Sequence, residues 1–130
     1  MYGVPSTLAA VNYVTFRLTS AQMEHGVSVV SLRGDLDLEQ TPKVDHELET
    51  LQDRGARHLI LDLLDVPFLD SSVLGVLLKH SRRIRLRHGT LTLVINNDVI
   101  TRGIKRYLDG HFRIASTLSE AVNNVSVAAS

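Results

Sequence analysis

The stretch 57–78, RHLILDLLDVPFLDSSVLGVLL, contains a strand, a loop and the start of a helix. The short apolar run 57–63 predicts a buried strand. After the loop LLDVPFLDSS, apolar residues recur at helical spacing and predict a helix from about Ser72 to Arg87, which Gly89 ends. The apolar side of this helix is formed by Leu74, Leu77, Leu78 and Ile84. A strand followed by a helix of this length predicts a crossover to a parallel neighbouring strand.

Two further strands are predicted before this stretch. Residues 13–18 (YVTFRL) alternate in polarity, and residues 27–33 (VSVVSLR) are rich in β-branched side chains. His25 and Gly26 between them favour a turn, so we expect the two strands to pair as antiparallel neighbours.

A helix is predicted between residues 35 and 55. Thr41 is its expected cap, and Pro42 occupies the first helical position, where a missing N–H does no harm. Gly55 ends the helix. Its apolar side is formed by Val44, Leu48 and Leu51.

The chain after Gly89 continues the alternation of strands and helices. A strand is predicted over residues 91–95, a helix over 98–108 with Asp98 as cap, a strand over 112–115 and a helix over 118–125. Gly110 ends the first of these helices. Three residues could cap the last helix, namely Ser116, Thr117 and Ser119.

After the opening strand pair, the predicted order is β-α-β-α-β-α-β-α. This order is typical of an α/β domain with a mostly parallel sheet, and the antiparallel entry makes that sheet mixed. We expect a loose leader over residues 1–12, one domain over residues 13–126 and a frayed tail over residues 127–130.

Composition excludes several classes of protein. The chain has 130 residues and no cysteine, so it has no disulfide framework, thiolate zinc site or cysteine nucleophile. Its 14 acidic and 14 basic residues balance, which argues against general attraction to nucleic acid or anionic membranes. No convincing signal peptide or membrane-spanning apolar run is present. We therefore expect a cytoplasmic protein that binds neither nucleic acid nor membrane.

Signatures of the common enzyme classes are also missing. The sequence has no HExxH, GxSxG, Walker A or GxGxxG motif, and its six histidines form no recognised ligand pair. Asp62 and Asp65 lie near a strand end, but a phosphoaspartate site would need a further acidic pair and a lysine. We expect no catalysis, no cofactor and no metal ion.

The loop 68–75, FLDSSVLG, is the most informative candidate site. It joins the carboxyl end of a strand to the longest helix, where open α/β sheets place functional surfaces. A phosphate on Ser71 would add about −1.5 to −2 charges there. The helix start would accommodate this at a gain of about 0.3–1 kcal/mol, whereas a partner's interface would be disturbed. Asp-Ser-Ser is also an ordinary N-cap pattern, and both interpretations can hold.

The segment Gly34-Asp35-Leu36-Asp37 also follows a strand end. Its carboxylates could shape a binding loop, orient a serine hydroxyl or bind a metal ion, although two carboxylates are an incomplete ligand set. Alternatively, they simply favour the start of a helix. The basic run 79–88, KHSRRIRLRH, lacks interleaved aromatic residues and is expected to be a solvated helix face.

Three segments together carry a family resemblance. VSLRGDLDLEQTPKV (30–44), RHLILDLLDVPFLDSSVLGVLL (57–78) and LVINNDVITRGIKRYLDGHFRIASTLSEAV (93–122) occur in the order found in the STAS domain. The chain resembles this family in the form typified by bacterial anti-anti-sigma factors, or anti-sigma factor antagonists. The resemblance implies a mixed sheet flanked by about four helices.

The resemblance also implies a function. The unmodified domain would bind an anti-sigma factor that is also a serine kinase, and so release a sigma factor. Phosphorylation would fall on Ser71 and end the binding, and a phosphatase would reset the switch. The residues implied in partner binding are Asp35, Asp37, Asp70, Ser71, Ser72 and Val73. The oligomeric state expected is a monomer or weak homodimer.

One position departs from the family pattern. The family usually has glycine after the second serine, and this chain has Val73. A β-branched residue restricts backbone approach and dihedral freedom compared with glycine. Two alternatives therefore stay open. One is a STAS interaction module of a signalling scaffold or transporter-associated complex that is not phosphorylated, and the other is a nucleotide-binding STAS domain.

Overall fold

The structure is a computed structural model that describes residues 16–108 and 110–129. The strands are β1 (Arg17–Gln22), β2 (Val27–Arg33), β3 (His58–Asp65), β4 (Thr90–Val94) and β5 (Arg113–Ala115). The helices are α1 (Thr41–Asp53), α2 (Ser71–Leu86), α3 (Asp98–Leu108) and α4 (Leu118–Ala129), and a short 3-10 turn spans Glu24–Gly26. None of the helices in these ranges is long and apolar enough to cross a membrane.

The five strands form one mixed sheet in the order β1-β2-β3-β4-β5. β1 is antiparallel to β2, and the other neighbouring pairs are parallel. A tight turn containing His25 (φ 62) and Gly26 (φ +74) reverses the chain between β1 and β2, whereas each parallel step needs a helical crossover. The predicted fold class, with its antiparallel entry and parallel remainder, is confirmed.

Helices cover both faces of the sheet. Buried side chains of α1, α2 and α3 share one cluster with β2, β3 and β4, and α4 packs on the other face against a smaller cluster. β3 is central, so Leu59, Ile60 and Leu61 are all fully buried although they alternate between the two faces. This explains why the sequence of β3 is a continuous apolar run and does not alternate.

The predicted position of the first strand was wrong. It was expected over residues 13–18, whereas β1 spans Arg17–Gln22, and residues 13–15 lie outside the described part of the chain. β1 is mostly exposed, so its own polarity pattern carries little information. Its position follows from the turn, because pairing runs from Gln22 opposite Ser28 back to Arg17 opposite Arg33.

Two predicted features of the first two helices were wrong. Gln40 occupies the cap position of α1, and Thr41 lies inside the first turn, where its hydroxyl donates to the main-chain oxygen of Asp37 at 3.1 Å. At the end of α2, which was predicted to end at Gly89, the helix stops at Leu86 and His88 adopts the left-handed conformation (φ 62).

The later helices also begin and end differently from the prediction. Asn97, and not Asp98, caps α3, because its Oδ1 accepts from the N–H groups of Val99 (2.9 Å) and Ile100 (3.2 Å). Thr117 caps α4 and was among the predicted alternatives. α4 continues to Ala129, so residues 127–129 of the expected frayed tail are helical. The expected leader, residues 1–12, and Ser130 lie outside the described part of the chain.

Candidate functional site

Two loops meet at the carboxyl edge of the parallel strands. The loop 34–40 follows β2, and the loop 66–70 follows β3. The N–H of Leu36 donates to the Phe68 oxygen at 3.0 Å, and the N–H of Asp70 donates to the Leu36 oxygen at 2.9 Å. Leu36 itself is fully buried, which anchors both loops to the core. The two segments singled out in the sequence therefore form one continuous surface.

Ser71 is the first residue of α2 and is exposed. Asp70 caps this helix, because its Oδ1 accepts from the N–H of Ser72 at 2.8 Å. That hydrogen bond lowers the pKa of the Asp70 carboxyl, and the hydroxyl groups of Ser72 and Ser71 contribute in the same direction. Asp70 is therefore ionised at neutral pH. The Asp-Ser-Ser sequence is thus a real N-cap that still leaves Ser71 at the surface.

The two serines differ in their surroundings. Ser72 is half-buried, and its hydroxyl oxygen lies 3.0 Å from Oγ1 of Thr41 in α1. This contact joins the N-terminal ends of α1 and α2. Ser72 is therefore part of the packing between the two helices, whereas Ser71 is exposed to solvent.

The loop 34–40 carries Asp35 and Asp37 and is called the acidic loop. The carboxylate of Asp37 has a structural role. Oδ1 of Asp37 accepts from the N–H groups of Glu39 (3.1 Å) and Gln40 (3.3 Å), which shapes the approach to α1. Asp35 is exposed on the same loop. In the part of the chain that the structure describes, no group of three or more His, Asp or Glu side chains could hold a metal ion.

Val73 was predicted among the partner-contacting residues, and the structure corrects this. Its side chain is fully buried in the main core cluster. It lies in the first turn of α2, where its N–H donates to the Asp70 oxygen at 3.1 Å. The Val73 side chain therefore packs beneath the serines and does not reach the outer surface.

An apolar groove beside this site was missed at the sequence level. It has a volume of about 480 Å³ and lies between the β3–α2 loop and α3. Phe68 (50% exposed) and Val99 (75% exposed) offer the largest apolar surface there. The remaining lining residues are Pro67, Leu69, Leu74, Asn97, Ile100, Gly103 and Ile104. The sequence signal that could have revealed this groove was Val99, an apolar residue in the first turn of a predicted amphipathic helix.

The basic run on α2 is partly buried, contrary to the expected solvated face. His80 is 0% exposed, and Gln52 donates its amide nitrogen to His80 Nδ1 at 2.8 Å. His80 Nε2 therefore carries the ring proton and donates to Asp45 Oδ1 at 2.6 Å, which Lys79 also contacts at 2.7 Å. Burial lowers the pKa of His80 more than Asp45 raises it, so this histidine is neutral and locks α1 to α2.

Comparison with known proteins agrees with this architecture. The STAS domain profile matches residues 19–121. An anti-sigma F factor antagonist of Paenibacillus polymyxa is 32% identical over 105 residues, which cover 78% of this chain and 88% of that protein. The crystal structure of an anti-sigma factor antagonist from Mycobacterium paratuberculosis has a TM-score of 0.77 at 26% identity, covering 86% of this chain and 95% of that one.

The fold is also that of SpoIIAA in its unphosphorylated form. That structure has a TM-score of 0.72 at 23% identity, covering 87% of this chain and 97% of SpoIIAA. The profile match extends over residues 19–121, which is most of the sequence. On these grounds the chain belongs to the STAS domain family.

Proposed function

We propose that this protein is an anti-sigma factor antagonist that acts as a binding module and not as an enzyme. In its unmodified form it binds an anti-sigma factor with serine kinase activity through the carboxyl edge of the sheet, and this binding releases a sigma factor. Phosphorylation of Ser71 ends the binding. The observation that carries the proposal is the exposed Ser71 at the start of α2, between the acidic loop and the apolar groove.

The start of α2 can carry a phosphate without loss of the fold. Free N–H groups and the helix dipole stabilise an anion there by about 0.3–1 kcal/mol. The ionised Asp70 next to Ser71 opposes this stabilisation in part. The net effect on folding is therefore small, because Ser71 is exposed and is not part of the packed core.

The same phosphate would strongly affect a bound partner. An interface that covers Ser71 would have to desolvate about −1.5 to −2 charges, which costs several kcal/mol without a compensating cation. Asp70 and Asp35 increase the local negative charge. A 100- to 1000-fold loss of affinity needs only about 2.7–4.1 kcal/mol, so one modified serine is sufficient.

The proposal is tested directly by determining which of the two serines, Ser71 or Ser72, is phosphorylated. The purified protein is incubated with ATP and its cognate kinase, and phosphopeptides are mapped by mass spectrometry. We expect one labelled site at Ser71, abolished in Ser71→Ala and retained in the matched control Ser72→Ala. Equal labelling of Ser71→Ala would refute the assignment.

The groove provides an independent test of where the partner binds. Phe68→Ser and Val99→Ser remove apolar surface beside Ser71 and should weaken association at least tenfold in a titration with the anti-sigma factor. Leu86→Ser is the matched control, because Leu86 is 83% exposed at the far end of α2. If Leu86→Ser weakens binding as much as the groove variants, the partner does not use this edge.

Val73 supports a second candidate function, a STAS interaction module that is not phosphorylated. Because the Val73 side chain is buried in the core, it adds packing contacts to the first turn of α2 that a glycine could not make. A turn restrained in this way would fit a kinase active site less readily. This candidate predicts that Ser71→Asp leaves partner affinity unchanged, whereas the leading proposal predicts a 100-fold or greater loss.

A further inference from the structure

A second pocket lies at the opposite, amino-terminal end of the sheet from Ser71. It has a volume of about 230 Å³ and opens between the end of α2 and the turn that leads into β5. Two arginines from different elements line it, Arg85 of α2 and Arg113 of β5, together with His111 of the turn. No carboxylate is among the lining residues that the structure describes.

Hydrogen bonds hold the turn in place beside α2. The Ser81 hydroxyl donates to the main-chain oxygen of His111, and the N–H of His111 donates to the Leu108 oxygen at 3.1 Å. Ser81 and Arg85 are four residues apart and therefore share one face of α2. The turn and the part of α2 that carries Arg85 are thus positioned by the fold before any ligand arrives.

Among the described residues, the two arginines of this pocket have no ion-pair partner. Arg85 and Arg113 are exposed, and neither forms an ion pair with a residue in the ranges 16–108 and 110–129. The nearby His58 responds to this charge: burial lowers its pKa first, and Arg57 and Arg113 lower it further. Two arginines therefore act on His58 at this end of the sheet.

The carbonyl groups at the end of α2 do not need the Arg85 side chain as a hydrogen-bond donor. The last carbonyl groups of α2 accept main-chain hydrogen bonds, since the Ile84 oxygen binds the N–H groups of Arg87 and Gly89 and the Arg85 oxygen binds that of His88. The Arg85 guanidinium therefore has no need to cap its own helix and can face an external anion.

His111 contributes an unsatisfied nitrogen. Its Nδ1 is buried and has no hydrogen-bond partner among the described residues. Buried polar atoms are nearly always paired, so an unpaired ring nitrogen in a residue that lines the pocket indicates a missing partner. A ring N–H of His111 together with the two arginines would form a donor set suited to an oxyanion.

We infer that this pocket binds a phosphate group, held by Arg85 and Arg113 with His111 as a further donor. The charge of a phosphate dianion matches that of the two arginines, and the volume of about 230 Å³ admits a single phosphate with a short substituent. The site is separate from the Ser71 surface, at the other end of the parallel strands, and does not depend on the function proposed for that surface.

The experiment is a titration of isotopically labelled protein with inorganic phosphate, followed by amide NMR signals at constant ionic strength. We expect saturable shifts at Gly110, His111 and Arg113, and no matching shifts when chloride is added. Arg85→Gln and Arg113→Gln should each weaken phosphate binding about tenfold, equivalent to about 1.4 kcal/mol. The matched control Arg82→Gln, an exposed arginine of α2 outside the pocket, should leave affinity unchanged.

A parallel titration with glycerol phosphate distinguishes free phosphate from a phosphate monoester as the natural ligand. Binding of either compound at these residues supports the inference. Shifts that chloride reproduces, an absence of shifts with both phosphate compounds, or an equal effect of Arg82→Gln would overturn it. Circular dichroism of each variant establishes that lost binding does not reflect lost folding.

Discussion

Gly89 lies where β4 begins beside the start of β3, and replacing it tests the packing at the amino end of the sheet. A Cβ at this position would be 1.9 Å from the main-chain oxygen of Arg57 and 2.8 Å from Cγ1 of Ile84. The Arg57 oxygen also accepts the N–H of Thr90 at 3.1 Å, which starts the pairing of the two strands. The backbone would have to move by about 1 Å or more to admit a methyl group.

The magnitude for Gly89→Ala follows from these contacts. Overpacking a rigid interior costs about 1–3 kcal/mol. Loss or distortion of the Arg57–Thr90 hydrogen bond adds about 1 kcal/mol. We therefore expect a loss of about 2–4 kcal/mol, a large share of the roughly 5–15 kcal/mol by which domains are stable.

Urea denaturation followed by circular dichroism measures this loss, with Gly75→Ala as the matched control. Gly75 lies in the middle of α2, and apart from its own helical turn and chain neighbours an added Cβ would have no heavy atom within 4 Å. Alanine should stabilise the helix there by up to about 1 kcal/mol. If the free energy of unfolding of Gly89→Ala is within about 0.5 kcal/mol of that of the unmodified protein, the close approach of Gly89 to Arg57 is wrong.

Three further predictions concern the helices that carry the site. Asp70→Ala should lower the free energy of unfolding by about 1 kcal/mol through loss of the α2 cap, while Asp70→Asn keeps most of it; equal denaturation midpoints for both would contradict the cap. Thr41→Val should lower the free energy of unfolding by about 0.5–1.5 kcal/mol, because it breaks the contact with Ser72. Thr41→Ser should keep that contact and most of the stability. The free energy of unfolding should decline as pH falls below about 6.5. The pKa values of His80 and His58 are lowered in the folded state, so the unfolded chain binds protons there that the folded protein does not. His80→Gln should flatten part of this decline in pH-dependent denaturation, and an unchanged slope would show that His80 does not titrate abnormally.

The elements of the fold could be predicted from local pattern. The apolar run of β3 and the helical spacing in α2 are properties of neighbouring residues, so they are visible without tertiary contacts. The meeting of the acidic loop with the Asp-Ser-Ser loop was also predictable, because parallel strands place their carboxyl ends at one edge. β1 was misplaced because its residues are mostly exposed and its register is set by the turn and by β2.

The sequence by itself determined the order of strands and helices, the mixed sheet and the position of Ser71 at a helix start. Only the tertiary structure decided which serine faces solvent, since Ser72 is engaged by Thr41, a residue 31 positions away. The same holds for the inward side chain of Val73 and the two pockets at opposite ends of the sheet. The physical reason is that periodicity encodes one face of one element, whereas exposure and pairing depend on which distant residues pack against it.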